Sequence, residues 1–255
     1  MNSGTSIEDT DRPTRNHAVI VLASGLSQRL GQPKQLLVKN GAPLIVRMIR
    51  LAVSTNPQAV IVVIPDKHPA IASVVTELAM LYPMVKAVVN PKPDTGMADS
   101  LYLGIETIAC LEIASLDADS IERVLIMGVD QILLDESHLT ALLAGEQPVV
   151  ASRYYSWHSW QDLEPCRNLD EAESNKNSAT SKSANHIIGL PLAINYKLLR
   201  QWKAALMGDK GLRHLIRGLP ADQIGTVIND SLTYDIDTPE QLAYAKQQGW
   251  LDKKS

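Results

Sequence analysis

Near the start of the chain, small and cationic residues are crowded into Leu22-Ala23-Ser24-Gly25-Leu26-Ser27-Gln28-Arg29-Leu30-Gly31-Gln32-Pro33-Lys34-Gln35-Leu36-Leu37. The stretch follows a short β-branched run, so it reads as the loop beyond the carboxyl end of a strand, where open α/β sheets bind their ligands. Ser24, Gly25, Ser27 and Gly31 leave backbone N–H groups free to close on phosphate oxygens, and Arg29 and Lys34 add fixed positive charge. That combination suits a polyphosphate whose charge grows during reaction. A glycine turn carrying two solvated cations is the plainer reading of the same residues. Two familiar phosphate loops do not fit. A Walker loop needs Gly-Lys-Ser/Thr after four intervening residues, whereas five separate Gly25 from Gly31 and Gln32 follows. The three-glycine dinucleotide fingerprint is missing as well.

Further short motifs follow in order: Asn90-Pro91, Gly96-Met97-Ala98-Asp99-Ser100-Leu101, Asp130-Gln131, Gly189-Leu190-Pro191, Gly208-Asp209-Lys210-Gly211-Leu212-Arg213, and Asp235-Ile236-Asp237-Thr238-Pro239-Glu240-Gln241-Leu242. Together with 22–37 they resemble the nucleotidyltransferases of the molybdenum cofactor family. Those proteins open with Leu-Ala-(Ala/Gly)-Gly-x-(Ser/Gly)-x-Arg-(Met/Leu)-Gly followed by Pro-Lys-x-Leu. The matches run from Leu22 to Leu242, nearly the whole chain. The resemblance implies transfer of a nucleotidyl group, CMP from CTP, onto a phosphorylated pterin cofactor with release of pyrophosphate. It implies nucleotide contacts from Leu22, Ala23, Ser24, Gly25, Ser27, Gly31, Asn90, Gly96 and Ser100. Arg29, Lys34, Asp130 and Asp237 become the catalytic candidates, with Mg2+ held by Asp130 and Asp237. A molybdoenzyme or its chaperone would be the protein partner. Guanylyl transfer to the same cofactor, cytidylyl transfer to a sugar or polyol phosphate, and a non-catalytic cofactor-delivery protein are the alternatives.

The chemistry accounts for the spacing. An acceptor phosphate attacks the α-phosphorus of a triphosphate while pyrophosphate leaves, so two polyanions must be brought together. Magnesium takes one or two carboxylates and completes its octahedron with phosphate oxygens and water. Lys34 would neutralise phosphate in the transition state and Arg29 would hold the departing pyrophosphate, so losing either depresses turnover more than ground-state binding. An acceptor phosphate is already ionised near neutral pH, and none of the six histidines is needed as a base. Helix capping is the plainer role for Asp130 and for Asp237, the latter just ahead of Thr238-Pro239. Asp235 and Asp209 are weaker metal candidates. His158, Cys166 and His186 are too widely spaced to read as a zinc site.

Three departures from the family pattern stand out. Ser24 replaces the second alanine, Ile132 replaces the proline after Asp-Gln, and Leu190 replaces the histidine of the Gly-His-Pro found in many relatives. The last falls in the acceptor half, so acceptor identity is the least transferable property.

The elements that must carry these residues are legible from periodicity. Short β-branched runs at 18–22, 60–64, 85–89, 124–127, 149–152, 192–194 and 225–228 alternate with amphipathic stretches near 44–55, 69–81, 97–109, 136–144, 198–206, 212–217 and 239–248. This alternation is the signature of an α/β fold with a mostly parallel, doubly wound sheet. The resemblance makes it the Rossmann-like, three-layer α/β/α fold of the nucleotide-diphospho-sugar transferases. Residues 18–22 and 60–64 are continuously apolar and should be covered on both faces. A polar segment at 1–16 reads as a disordered tail, and 17–250 as a single domain with a nucleotide-binding half (17–135) and an acceptor half (136–250). Within the latter, the polar, aperiodic stretch 161–184 reads as a surface insertion.

Composition closes off other classes. The chain has 255 residues, 45% of them hydrophobic, and a net charge of −4, which argues against a nucleic-acid surface. No apolar run approaches the roughly 18 residues that a membrane span needs, so neither membrane nor nucleic acid is an expected partner, and a cytoplasmic location is expected. The two cysteines, Cys110 and Cys166, read as free thiols. There is no Phe among the eleven aromatics, and Tyr154, Tyr155, Trp157 and Trp160 are clustered. Core packing is the plain role of that cluster; lining a pocket for a planar pterin is the functional one.

Overall fold

Alternation along β1 sets the architecture. In the computed structural model, residues 16–114, 121–155, 186–206, 208 and 211–253 are described. Residues 1–15 of the expected tail and the insertion at 161–184 lie outside the described residues, as do Trp157, His158, Trp160, Cys166 and Asp209, whereas Asn16 is described and its carbonyl accepts from the N–H groups of Glu122 and Arg123. The chain runs β1 (His17–Leu22), β2 (Val38–Lys39), β3 (Ala42–Pro43), α1 (Leu44–Ser54), β4 (Ala59–Pro65), α2 (Pro69–Leu81), β5 (Val85–Asn90) and α3 (Met97–Ala114). It continues through β6 (Arg123–Gly128), α4 (Glu136–Ala144), β7 (Val149–Tyr155), β8 (His186–Asn195), α5 (Tyr196–Trp202), α6 (Arg213–Arg217), β9 (Ile224–Ile228) and α7 (Pro239–Gln247).

Seven strands form one sheet in the order β5-β4-β1-β6-β8-β7-β9. All neighbours pair in parallel except β8, which is antiparallel to both β6 and β7. β8 is also longer than the expected 192–194 and takes in Gly189-Leu190-Pro191. Its ladder with β7 shifts register between Ala151 and Ser152, which accommodates a glycine and a proline that otherwise punctuate a strand.

Val19 and Val21 of β1 face a core shared with α1, α2 and α4, while Ala18 and Ile20 face a second core shared with α3, α5 and α6. The result is a three-layer sandwich with β1 and β4 covered on both sides. A third, smaller core joins the two ends of the chain: Leu30, Leu37 and Leu44 pack with Ile132 and with Ile236, Leu242 and Leu251. This core matters most for function, because it brings the segment after β9 against the loop after β1.

Candidate functional site

The loop after β1 is held from beneath by Gln35. That side chain is fully buried, and its Nε2 donates to the carbonyls of Ala23 (2.7 Å) and Gly25 (2.8 Å). At the turn, Ser27 adopts a φ of 51° and Gly31 one of 74°, and the Ser27 carbonyl accepts from the N–H groups of Leu30 and Gly31. The Ser27 hydroxyl accepts from the backbone N–H of Lys34 at 3.2 Å, which fixes where that side chain starts. A Cβ on Gly25 would meet no protein atom within 4 Å, so its absence keeps open the cleft rather than relieving a clash.

Lys34 is the centre of the site. Its Nζ donates to Asp130 Oδ2 at 2.7 Å and to Asp237 Oδ1 at 2.9 Å, and Arg29 donates to the other oxygen of Asp237 at 3.2 Å. The four catalytic candidates therefore converge. Asp130 follows β6, and a Cβ on Gly128 would come within 2.8 Å of its carboxylate, so glycine there lets the side chain fold back. Asp237 is aimed by two devices. Ile236 is buried in the third core, and the Gln241 side-chain oxygen accepts from the backbone N–H groups of Asp237 (2.7 Å) and Thr238 (2.9 Å).

Capping proves to be the work of other residues. Thr238 caps α7 in a reciprocal box with Gln241, and Asp135, not Asp130, caps α4 by accepting from the His138 N–H at 2.9 Å. Both candidate carboxylates are thus free of helix duty.

The electrostatics follow from this crowding. Burial works against the Lys34 ammonium, but Asp130 and Asp237 outweigh it and hold the pKa well above its ordinary value. Burial, together with Asp130 and Asp237, pushes the Asp235 carboxyl up to about 6. Tyr154 is pushed up to about 12 by burial and by Asp235 and Asp130, with Arg213 opposing. An all-carboxylate oxygen set suits magnesium, and among the described residues no cluster of three or more metal-binding side chains exists. A magnesium ion held by Asp130 and Asp237 would need phosphate oxygens and water to complete its shell.

Ser24, Asn90 and Ser100 form a buried group rather than lining open space. The Ser24 and Ser100 hydroxyls are 2.5 Å apart, and Asn90 Nδ2 donates to Ser100 at 3.0 Å, tying the loop, the end of β5 and the start of α3 together. Gly25, Ser27, Arg29, Lys34, Gly96 and Asp237 line one cleft of about 340 Å3. Ala23 is buried beneath it, and Leu22 lines a second cleft, of about 580 Å3, on the α3 and α6 side of the sheet. Gln35, Gly128 and Gln241 were not among the sequence candidates, and Tyr154 was named there as one ring of a pterin pocket, not as a neighbour of the carboxylates. A polar Gln35 set in the apolar run Leu36-Leu37, and the clustered Tyr154, were the available signals. Of the aromatic cluster, Tyr154 and Tyr155 are described, both partly buried.

The MobA-like NTP transferase domain family matches residues 19–224. No curated protein matches the sequence. Among solved structures, a nucleotidyl transferase from Methanothermobacter thermautotroptrophicus (Mth528) superposes with a TM-score of 0.62 at 18% identity, over 92% of this chain and 97% of that one. The 4-diphosphocytidyl-2C-methyl-D-erythritol synthase from Anaerococcus prevotii superposes with a TM-score of 0.60 at 14% identity, over 92% and 96%. Rv0371c from Mycobacterium tuberculosis, in a complex with manganese, does so with a TM-score of 0.56 at 18% identity, over 90% and 97%.

Proposed function

Since the chain belongs to the MobA-like NTP transferase family, and so is a nucleotidyltransferase, we propose that it moves a nucleotidyl group from a nucleoside triphosphate onto a phosphorylated acceptor with the help of magnesium. The observation that carries this reading is a single ammonium, Lys34, gripping two carboxylates that lie 96 and 203 residues away, at the edge of a cleft lined by Gly25, Ser27 and Arg29. A pure binder has no use for that convergence of two metal-type ligands with two cations.

In the proposed step an acceptor phosphate oxygen bonds to the α-phosphorus as the bond to the bridging oxygen breaks, and pyrophosphate departs. Magnesium held by Asp130 and Asp237 would neutralise phosphate charge and align the two polyanions. Arg29, which is mostly exposed, swings to the leaving pyrophosphate, while the loop N–H groups and Lys34 hold the triphosphate in line. The finer proposal is CMP transfer from CTP onto a phosphorylated pterin, in the cytoplasm, for delivery to a molybdoenzyme or its chaperone. Its support is the order of motifs from Leu22 to Leu242. Transfer to a sugar or polyol phosphate is the second reading, because a 4-diphosphocytidyl-2C-methyl-D-erythritol synthase is among the structural neighbours.

Pyrophosphate release from a triphosphate panel, with magnesium and the molybdenum cofactor or a polyol phosphate, tests this. Release with wild-type protein and at least a hundredfold less with Asp130→Ala is expected. A wild-type protein that releases none with any triphosphate and acceptor overturns the proposal.

A further inference from the structure

The loop that carries Asp130 is gripped by two cations that lie outside the catalytic cluster. Within the loop, the Ile132 N–H donates to the Asp130 carbonyl at 3.0 Å and the Leu134 N–H to the Gln131 carbonyl at 3.0 Å. Ile132 stands where the family pattern has proline, and a proline has no N–H with which to close that first turn. The loop's own carbonyls are then taken up from outside: Lys39 Nζ donates to Ile132 at 2.6 Å, and Arg47, on α1, donates to Leu134. A lysine ordinarily carries its ammonium out to water. Among the described residues, Lys39 instead hydrogen-bonds the Ile132 carbonyl alone. Burial and the neighbouring Arg47 both push its pKa down, so the charged form is held there against two opposing effects by a charge-assisted bond.

The base from which Lys39 reaches is itself fixed. Lys39 lies on β2, opposite Ala42 of β3. At the turn between them the Asp252 carboxylate accepts from the N–H groups of Asn40 (3.0 Å) and Gly41 (2.8 Å), and the Asp252 N–H donates to the Val38 carbonyl (2.9 Å). Leu251 is buried in the third core with Leu37 and Ile132, and Trp250 packs on Tyr234 with ring centroids 4.6 Å apart. The hairpin is thus tied to the segment after α7 on one side and to the Asp130 loop on the other. Lys34, earlier in the same stretch, meets the carboxylate of Asp130, so residues 34–39 grip this aspartate's loop at two points, one on the side chain and one on the backbone.

We propose that Lys39 is a positioning residue for Asp130: through the Ile132 carbonyl it fixes the turn that aims the Asp130 carboxylate, and the Asp252 carboxylate holds the hairpin from which Lys39 reaches. The proposal rests on the nucleotidyl-transfer reading, in which Asp130 is a magnesium ligand. Loss of the Lys39 bond leaves the Ile132 carbonyl without its cation, loosens the turn and lets the carboxylate wander. Metal binding weakens, while the groups that line the cleft around the triphosphate stay in place.

The test uses the full chain with Lys39→Met, Lys39→Arg and Asp252→Ala, and reads amide hydrogen exchange beside the magnesium dependence of pyrophosphate release. In Lys39→Met the amides of Ile132 and Leu134 should exchange about tenfold faster, with Val124–Met127 of β6 unchanged. The magnesium concentration for half-maximal turnover should rise about tenfold, with the KM for the triphosphate at saturating magnesium within about twofold of wild type. Lys39→Arg can donate to the same carbonyl and should restore both readouts. Asp252→Ala, which leaves Lys39 in the chain but frees its hairpin, should move both in the same direction by about threefold; it decides the matter if Lys39→Met does not fold. Unchanged exchange at Ile132, exchange that quickens equally along β6, or a Lys39→Arg variant as impaired as Lys39→Met overturns the proposal. If wild type releases pyrophosphate and Lys39→Met matches its magnesium requirement, the positioning role falls and nucleotidyl transfer stands. If the loop amides respond as expected but no triphosphate yields pyrophosphate, the hold on the Asp130 turn stands and nucleotidyl transfer falls.

Discussion

At Lys34, one ammonium occupies the space between two carboxylates that the proposed chemistry assigns to a metal ion. Under that proposal Lys34 would have two tasks: the ammonium that pairs with Asp130 and Asp237 before substrate arrives would turn to phosphate oxygens afterwards. Lys34→Met removes both. Turnover should fall by about a hundredfold or more, as for loss of one preorganised electrostatic contact. Magnesium should meanwhile bind the nucleotide-free protein more tightly, since the carboxylates lose their competing cation. Isothermal titration with magnesium checks the second half, and weaker binding in the variant would contradict it. Asp235 gives a different signal. Its folded-state pKa of about 6 lies above the 3.8 of an ordinary aspartate. The folded protein thus holds that proton more tightly, and stability falls as pH rises from about 4 to 6. By neutral pH the ionised carboxylate costs at most about 3 kcal/mol. With metal chelated, Asp235→Asn should raise the melting temperature at pH 7.5 and change it little at pH 4. A variant no more stable at pH 7.5 would show that the buried charge is offset elsewhere.

The elements matter through the precision they impose on these side chains. Asp237 is not on a helix or strand; it is fixed by the first turn of α7, where the Gln241 side chain takes hydrogen bonds from the Asp237 and Thr238 N–H groups. The two halves of that capping box are separable. Thr238→Ala should cost about 1 kcal/mol of stability, or roughly 2–4 °C in melting temperature for a domain of this size, with Asp237 still pinned. Gln241→Ala should cost a similar amount and, in addition, let Asp237 drift. The magnesium concentration for half-maximal turnover should then rise about tenfold, the usual cost of removing support behind a metal ligand. Equal metal requirements for the two variants would mean that Ile236 in the third core suffices to aim the carboxylate. In α4, His138 shows the same principle without catalytic chemistry. It bonds Ser152 at 2.8 Å, Ser152 donates to the Pro191 carbonyl at 2.6 Å, and α4, β7 and β8 are joined where the ladder shifts register.

Across the whole molecule, what periodicity can express was legible and what depends on long-range closure was not. All seven sheet strands read as β-branched runs, and the runs 18–22, 60–64 and 124–127 of β1, β4 and β6 are continuously apolar because these strands are buried on both faces, whereas the edge strands β5 and β9 are partly exposed. The reversed direction of β8 leaves no trace in such a pattern. The β2-β3 hairpin was not among the expected elements either; its two-residue strands are too short for a periodic pattern, and its turn at Asn40-Gly41 takes φ values of 52° and 75°, the left-handed pair that tight hairpins prefer. The candidate carboxylates were legible as motifs, but not that Gln35, Gly128 and Gln241 would position them or their loop, since hydrogen bonds and close approaches across 2 to 12 residues leave no periodic pattern, nor that Lys34 would meet Asp237 across 203 residues. That meeting has a thermodynamic consequence. The loop after β1 and the segment around α7 share a small core of their own, apart from the two cores that pack the sheet. A triphosphate with magnesium would touch both segments and so oppose their separation. Ligand at a hundred times its dissociation constant adds about 2.7 kcal/mol to any opening that releases it. Amide hydrogen exchange should therefore slow by up to about a hundredfold in residues 23–37 and also in residues 230–247, while the doubly covered strand β4 changes little. Protection confined to residues 23–37 would mean that the nucleotide engages the loop alone and that Asp237 takes no part in holding it.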